Sequence, residues 1–224
     1  VFPAIIPSSA LGADGAVAPS NRIALGFIGL GIEGRLKNLK RFMSLPDTQV
    51  VALCDVHGKR LHSAHLAMQA YAREPAADMY RGCFLTRDWR DVVARGDVDA
   101  VVIATPDHWH VLPAVAAARS GKDVFCEKPV SLTIREGRVL SDTMKKHGRI
   151  FQTASENRAI DTFRRACVLV RNGRLGKLHT IQVEIFRGFG MNCSDVNPPF
   201  KPMPVPDDFD YTMWLGQAPE APYT

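Results

Sequence analysis

The sequence lacks both a long hydrophobic run and a dense basic segment. No apolar stretch approaches the roughly 20 residues that a membrane-spanning helix needs, so we expect no membrane partner. No run of lysine and arginine with interleaved aromatic residues occurs, and the formal charge of +5 is modest for 224 residues. A nucleic-acid-binding surface is therefore not expected either.

Cysteine is also scarce, and its pattern excludes two further classes of protein. The five cysteines are odd in number and form no CxxC pair, which argues against a disulfide framework and a zinc site. Cys54, Cys126 and Cys167 lie in apolar stretches, so we expect them to be small core residues. With 46% hydrophobic and 23% charged residues, the composition is that of a globular protein with a substantial core.

Three regions can be distinguished along the chain. Residues 1–21 are rich in Ala, Pro, Ser and Gly and are interpreted as a flexible arm or the remnant of an export signal. In residues 22–153 buried strands alternate with helices, which predicts an α/β domain with a doubly wound parallel sheet. Residues 154–224 begin a second, α+β domain, because Ile181, Val183 and Ile185 alternate with polar residues as in an open antiparallel sheet.

A glycine-rich motif follows the first predicted strand. Gly29 would allow a tight turn, Gly31 would let the backbone approach a pyrophosphate, and Gly34 would let the next helix pack closely on the strand. The phosphates would lie at the helix N-terminus, where free N–H groups and the helix dipole favour negative charge. This motif alone is weak support, since glycines often only form turns.

Asp55 strengthens the prediction of a dinucleotide site. It ends the second predicted strand, 21 residues after Gly34, where a ribose-binding acid is expected. A carboxylate there accepts hydrogen bonds from the ribose hydroxyls and repels a 2′-phosphate, which favours NAD over NADP. Lys59 and Arg60 lie nearby and could weaken that preference, so NADP stays open as the second cofactor.

Two further motifs lie at the ends of later strands. Thr105 and Pro106 close the fourth strand, and the next residues include His108 and His110. Two histidines two positions apart do not share a helix face and no carboxylate cluster accompanies them, so no metal site is predicted.

The fifth strand delivers Glu127-Lys128-Pro129 to its carboxyl end. We expect Lys128 to be partly shielded from water there, where its amine would exchange a proton with a substrate hydroxyl. Glu127 would hold the lysine in place or contact the cofactor. Pro129 stiffens the turn and is compatible with a cis peptide bond.

These spaced motifs together resemble the Gfo/Idh/MocA family, and the similarity extends over residues 22–190. The resemblance implies a Rossmann domain and reversible hydride transfer between a nicotinamide and a carbinol carbon of a sugar or cyclitol. It implies that Lys128 exchanges the hydroxyl proton, that Glu127 positions cofactor and lysine, and that His110 lines the nicotinamide side. Thr105, Pro106, His110, Glu127 and Lys128 join the glycines and Asp55 as expected cofactor-binding residues.

The resemblance also carries expectations about the whole protein. It implies a homo-oligomer at full length, with an aspartate and a histidine of the active site beyond Thr224, so the chain is expected to be truncated in its C-terminal domain. The first residues resemble the end of a twin-arginine signal, which implies export to the periplasm; otherwise the protein is cytoplasmic. Two alternatives stay open: an NAD-dependent glycosidase that recycles its cofactor, and a non-catalytic nucleotide-binding fragment.

Overall fold

The computed structural model describes Gly12 and residues 17–71, 82–184 and 201–224. Most of the arm proposed as an export signal, and Ile185, lie outside these residues. The described chain divides into two compact units. The first unit contains residues up to Ala154 together with Pro206–Pro219, and the second contains Ser155–Val205 with Glu220–Thr224.

The first unit is a doubly wound parallel sheet, as the alternation of strands and helices predicts. Its six strands lie in the order β3-β2-β1-β4-β5-β6, and all pairs are parallel. The strands are β1 (Ile23–Ile28), β2 (Thr48–Cys54), β3 (Phe84–Thr86), β4 (Ala100–Ile103), β5 (Asp123–Cys126) and β6 (Phe151–Thr153). The order reverses between β1 and β4, so a crevice opens there at the carboxyl ends of the strands.

Helices cover both faces of this sheet. A π-helical segment, Ile32–Leu39, follows the glycine motif and continues into α1. The α-helices of this unit are α1 (Lys40–Met43), α2 (Gly58–Tyr71), α3 (Trp89–Ala94), α4 (Val111–Arg119), α5 (Ile134–His147) and, much later in the chain, α7 (Tyr211–Leu215). Helix α5 begins with the capping box that Thr133 and Glu136 predict.

The core lies in two layers, one on each face of the sheet. Val101 and Ile103 of β4 pack into the layer beneath α3, α4 and α5, whereas Val102 packs into the layer beneath α1 and α2. This alternation follows from the two-residue period of a strand. Because both faces are covered, the central strands β1 and β4 are apolar along their whole length, as is typical of parallel sheets.

The second unit contains helix α6 (Asp161–Arg171), which ends before Gly173 at φ 67°. The predicted strand through Ile181 and Val183 is not formed in the described residues, because no neighbouring strand in that part of the unit offers a ladder to pair with. The prediction for Cys167 was wrong: it is exposed on α6, whereas Cys54 and Cys126 are buried. Among all described residues, none of the helices is long and apolar enough to cross a bilayer.

Candidate functional site

The glycine motif forms a tight turn between β1 and the π-helical segment. Gly29 has φ 90°, and a Cβ there would lie 2.5 Å from the carbonyl oxygen of Ala104. A Cβ on Gly34 would collide with the carbonyl oxygen of Gly29, so helix and turn can approach only with glycine at this position. A Cβ on Gly31 would meet nothing within 4 Å. The turn is therefore packed on its inner side and open at Gly31.

Helix Ile32–Leu39 begins at this open turn. Its N-cap is Gly31, and no side chain caps its first N–H groups. Unpaired N–H groups and the helix dipole create a positive field at the N-terminus, which suits a phosphate. The geometry at the turn is that of a phosphate-binding loop.

Asp55 lies directly beside this turn. Its Oδ2 accepts a hydrogen bond from the N–H of Leu30 at 2.7 Å, and its Oδ1 accepts one from the N–H of His57 at 2.8 Å. The side chain is buried. An ionised carboxylate has about four lone-pair sites, so both oxygens can accept further hydrogen bonds. Asp55 thus fixes the glycine turn and keeps capacity for a ligand's hydroxyl groups.

A cavity of about 420 Å³ lies over the carboxyl ends of β1, β2 and β4. Ligand pockets in proteins commonly have volumes in this range. Its lining includes most of the predicted cofactor-binding residues: Gly29, Gly31, Asp55, Thr105 and Pro106. Gly34 lies behind the turn, and Glu127, Lys128 and His110 are not among the lining residues. The structure therefore brings the motifs that follow β1, β2 and β4 together in one crevice.

Three residues that line this cavity each carry a buried polar atom that makes no hydrogen bond to a described residue. The atoms are Nε of Arg35, Nε1 of Trp89 and Oγ1 of Thr105. Buried polar groups are nearly always hydrogen-bonded, so these atoms retain hydrogen-bonding capacity beside the cavity. The open helix N-terminus at Gly31 and the spare acceptor capacity of Asp55 therefore fit a dinucleotide.

His110 is buried, at 1% exposure, and its ring joins two motifs. One ring nitrogen, Nδ1, lies 2.5 Å from the carbonyl oxygen of Pro129, and Nε2 lies 2.9 Å from that of Thr105. The side chain thus connects the turn after β4 with the turn after β5. This position suits a residue that fixes the Lys128 turn, whereas the family resemblance implies that His110 lines the nicotinamide side.

The two residues after β5 have different environments. Glu127 is buried and its Oε1 accepts a hydrogen bond from Nδ2 of Asn38 at 2.8 Å, while Oε2 accepts one from the N–H of Lys128 at 3.3 Å. Lys128 is exposed, so the described residues do not provide the shielding that the sequence suggested. The Lys128–Pro129 peptide bond is cis. Glu127 therefore anchors the main chain of this turn, while the amine of Lys128 stays accessible to solvent.

Several site residues were missed by the reasoning from sequence. Asn38 is buried on the helix that follows the glycine motif, and its partner Glu127 lies 89 positions away. Trp89, Met213 and Trp214 line the cavity, although none belongs to a motif. The sequence offered one indication of these residues, the rarity of tryptophan, since the chain has only three. All three, including Trp109, line this cavity.

Comparison with known proteins agrees with this geometry. Residues 23–155 match the model of an oxidoreductase family with an NAD-binding Rossmann fold. The chain belongs to the Gfo/Idh/MocA family. The matched residues are those of the first unit that carry the glycine turn, Asp55 and the two later motifs.

Proteins similar to this chain in sequence or structure include an uncharacterized oxidoreductase, YrbE, of Bacillus subtilis, 28% identical over 73% of this chain and 44% of the relative. An α-N-acetylgalactosaminidase of Shewanella oneidensis is 33% identical over 62% of this chain and 30% of the relative. The crystal structure of scyllo-inositol dehydrogenase from Lactobacillus casei, with bound NAD(H) and scyllo-inositol, superposes with a TM-score of 0.59 at 26% identity. That match covers 69% of this chain and 42% of that one. The chain thus spans less than half the length of these relatives.

The described residues contain no group of three or more His, Cys, Asp or Glu side chains that could hold a metal ion. The thiols near the site do not offer a nucleophile at neutral pH. Burial, aided by the charge of Glu127, raises the pKa of Cys126 to about 12. Burial also raises the pKa of Cys54, which lines the cavity, far above its ordinary value. The buried thiols Cys54 and Cys126 are therefore not candidates for the chemistry of the site.

Proposed function

We propose that this family member is an NAD-dependent oxidoreductase that transfers a hydride between nicotinamide and a hydroxyl-bearing carbon of a sugar or cyclitol. One observation carries the proposal: the glycine turn, Asp55 and Thr105-Pro106 line one cavity, beside a helix N-terminus that no side chain caps. The substrate class comes from the likeness to scyllo-inositol dehydrogenase. We propose this substrate class for a protein of the relatives' length, of which this chain spans less than half.

The residues of the first unit divide the work of binding. The N–H groups at the start of the helix after Gly31 would hold the pyrophosphate. Asp55 would accept hydrogen bonds from the adenosine ribose, and its charge disfavours a 2′-phosphate. Arg35, Arg60 and Arg87 line the same cavity and oppose that discrimination. We propose NAD as the preferred cofactor, because Asp55 alone is buried directly against the turn.

When bound, NAD would supply the hydride acceptor at its nicotinamide ring. Lys128 supplies the acid–base group, because its exposed amine lies at the carboxyl end of β5, two strands from the glycine turn. It would take the hydroxyl proton during oxidation and return it during reduction. Glu127 and His110 hold the turn that carries this amine, through the main-chain N–H of Lys128 and the carbonyl of Pro129.

Calorimetric titration with NAD and NADP tests the cofactor assignment directly. We expect NAD to bind more tightly than NADP. A panel of sugars and cyclitols, followed by the absorbance of the reduced cofactor, then tests the reaction in the full-length protein. Absence of dinucleotide binding would refute the proposal, and tighter binding of NADP would show that the arginines outweigh Asp55.

The first mutational prediction concerns Lys128. In Lys128→Ala we expect turnover to fall by about 10²- to 10⁴-fold, the usual contribution of a general acid–base group. NAD affinity should change little, because Lys128 does not line the cavity. Lys146→Ala removes an equally exposed amine from helix α5 and serves as control. A Lys128→Ala protein that keeps most of its turnover would remove this residue from the mechanism.

The glycosidase alternative is separated by cofactor stoichiometry. A dehydrogenase consumes one NAD for each substrate molecule, whereas an enzyme that oxidises its sugar transiently returns the hydride and consumes none. We expect stoichiometric reduction of added NAD. Release of a free sugar without net reduction would instead place the protein with relatives such as the α-N-acetylgalactosaminidase.

A further inference from the structure

A segment late in the chain packs against the cavity of the first unit. We name residues 206–217 the strap. It contains helix α7, which is capped by Asp210: the Oδ1 of this residue accepts a hydrogen bond from the N–H of Met213 at 2.9 Å. Three aromatic side chains, Phe209, Tyr211 and Trp214, pack against one another along the strap. The strap is therefore a folded element with its own cluster of aromatic side chains.

One end of the strap is fastened to the residues that follow β2. The carbonyl oxygen of Asp208 accepts a hydrogen bond from the N–H of Gly58 at 2.7 Å, and the N–H of Asp210 donates to the carbonyl of Val56 at 3.0 Å. The ring of Phe209 stacks on His57 at 5.3 Å. These contacts lie immediately after Asp55 in the chain.

The other end is fastened to the turn after β4. The carbonyl oxygen of Trp214 accepts a hydrogen bond from Nε1 of Trp109 at 3.0 Å, and Nε2 of His108 lies 3.1 Å away from it. Gly216 has φ 54°, and a Cβ there would collide with the ring of Trp109. Glycine at this position lets the strap lie directly on the indole.

The order of the strands determines which part of the sheet the strap crosses between its two fastened ends. Strands β2 and β4 are the two neighbours of β1 in the sheet. A segment fastened beyond both of them must therefore cross the carboxyl end of β1, where the glycine turn is located. Accordingly, Met213 and Trp214 line the cavity opposite Gly29, Gly31 and Asp55.

We propose that Trp214 and Met213 are cofactor-contacting residues, which form the outer wall over the adenosine half of the bound dinucleotide. The inference rests on the proposed function. The cavity that they line contains the glycine turn and Asp55 but neither Glu127 nor Lys128, so it accommodates adenosine and pyrophosphate rather than nicotinamide. An indole offers a flat surface on which an adenine ring stacks.

The test compares Trp214→Ala with Trp214→Phe and with Thr212→Ala, an exposed residue of the same helix outside the cavity. NAD, ADP-ribose and nicotinamide mononucleotide are titrated into each protein by calorimetry. For Trp214→Ala we expect NAD and ADP-ribose to bind about tenfold more weakly or worse, the size of one lost base–aromatic stack. Trp214→Phe should recover most of the affinity, and the mononucleotide and Thr212→Ala should show no change.

Thermal unfolding of each variant is measured alongside. If Trp214→Ala does not fold, Met213→Ala decides, and we expect it to weaken ADP-ribose at least threefold. The inference is overturned if the folded variants bind ADP-ribose within twofold of the parent chain. Failure of the proposed function has a different signature, since the parent chain itself would then bind no dinucleotide.

Discussion

At the scale of single residues, Asp55 connects the sequence most directly with function. Its two oxygens accept main-chain hydrogen bonds from Leu30 and His57, so one carboxylate ties the glycine turn to the end of β2. The charge is therefore placed before any ligand arrives. Such preorganisation lowers the cost of ordering the site on binding.

Asp55→Asn tests this carboxylate, because the variant keeps one acceptor oxygen and loses the charge. We expect NAD to bind about tenfold more weakly, as hydrogen bonds to charged groups contribute about 1.5–3 kcal/mol. The ratio of NAD to NADP affinity should shift towards NADP, because Arg35, Arg60 and Arg87 remain. Calorimetry with both cofactors measures the shift. Asp142→Asn, at an exposed position of helix α5, serves as control. An unchanged ratio would contradict the ribose role of Asp55.

Residue-level prediction from sequence succeeded where a local rule decides the geometry. Gly29 needs a positive φ, and Gly34 needs close packing, and both follow from a strand–turn–helix pattern. Asn38 and Trp89 could not be found in this way, because the partner of Asn38 and the shape of the cavity depend on residues far along the chain. The position of Lys128 after β5 could be predicted from the sequence, but its exposure could not.

At the scale of elements, periodicity located the strands and helices of the first unit well. The apolar runs of β1, β2 and β4 and the capping box of α5 follow from local chemistry. The predicted strand at Ile181 and Val183 failed for a physical reason. A period of two shows that a segment is suited to a sheet edge, but a strand forms only where another strand can pair with it.

Lys122 shows how one side chain joins two elements without any motif. It lies between α4 and β5, is buried at 5% exposure, and its Nζ donates to the carbonyl oxygens of Arg95 and Val98 at 2.5 and 2.8 Å. Burial lowers the pKa of Lys122, and the charges of Asp99 and Asp97 oppose that change. The residue precedes β5, so it lies at the edge opposite the cavity and serves stability rather than chemistry.

For Lys122→Met we expect the free energy of unfolding to fall by about 1–3 kcal/mol, because two buried carbonyl oxygens lose their donor. Dinucleotide affinity should stay unchanged. Urea unfolding followed by circular dichroism measures the loss, and Lys146→Met on the surface of α5 serves as control. Equal stability of the two variants would show that these hydrogen bonds contribute nothing.

At the scale of the whole molecule, sequence order and spatial order diverge. The sequence groups residues 154–224 as one domain, whereas Pro206–Pro219 packs within the first unit and completes its cavity. The contacts of Trp214 join residues more than 100 positions apart. Local patterns in the sequence carry no information on which surface of the protein helix α7 covers.

The docking of the strap has a pH dependence that follows from Asp208. Burial raises the pKa of this carboxyl, but the N–H of Lys59 and the charges of Lys59 and His57 lower it by more, so the net shift is downward. The Oδ2 of Asp208 lies 3.0 Å from the N–H of Lys59 and 3.3 Å from Nδ1 of His57. A depressed pKa in the folded state means that the ionised form is favoured while the strap is docked.

The stabilisation from Asp208 is therefore fully present above the ordinary aspartate pKa of about 3.9 and is lost as the pH falls through the lower pKa of the docked state. In Asp208→Asn this contribution is absent at every pH. We expect the parent chain to be more stable than the variant near neutral pH, with the difference vanishing on acidification below about pH 4. Unfolding midpoints measured across the acid range, with tryptophan emission as the signal, would show it, because Trp109 and Trp214 meet at the strap. A difference that persists undiminished in acid would mean that the charge of Asp208 does not hold the strap.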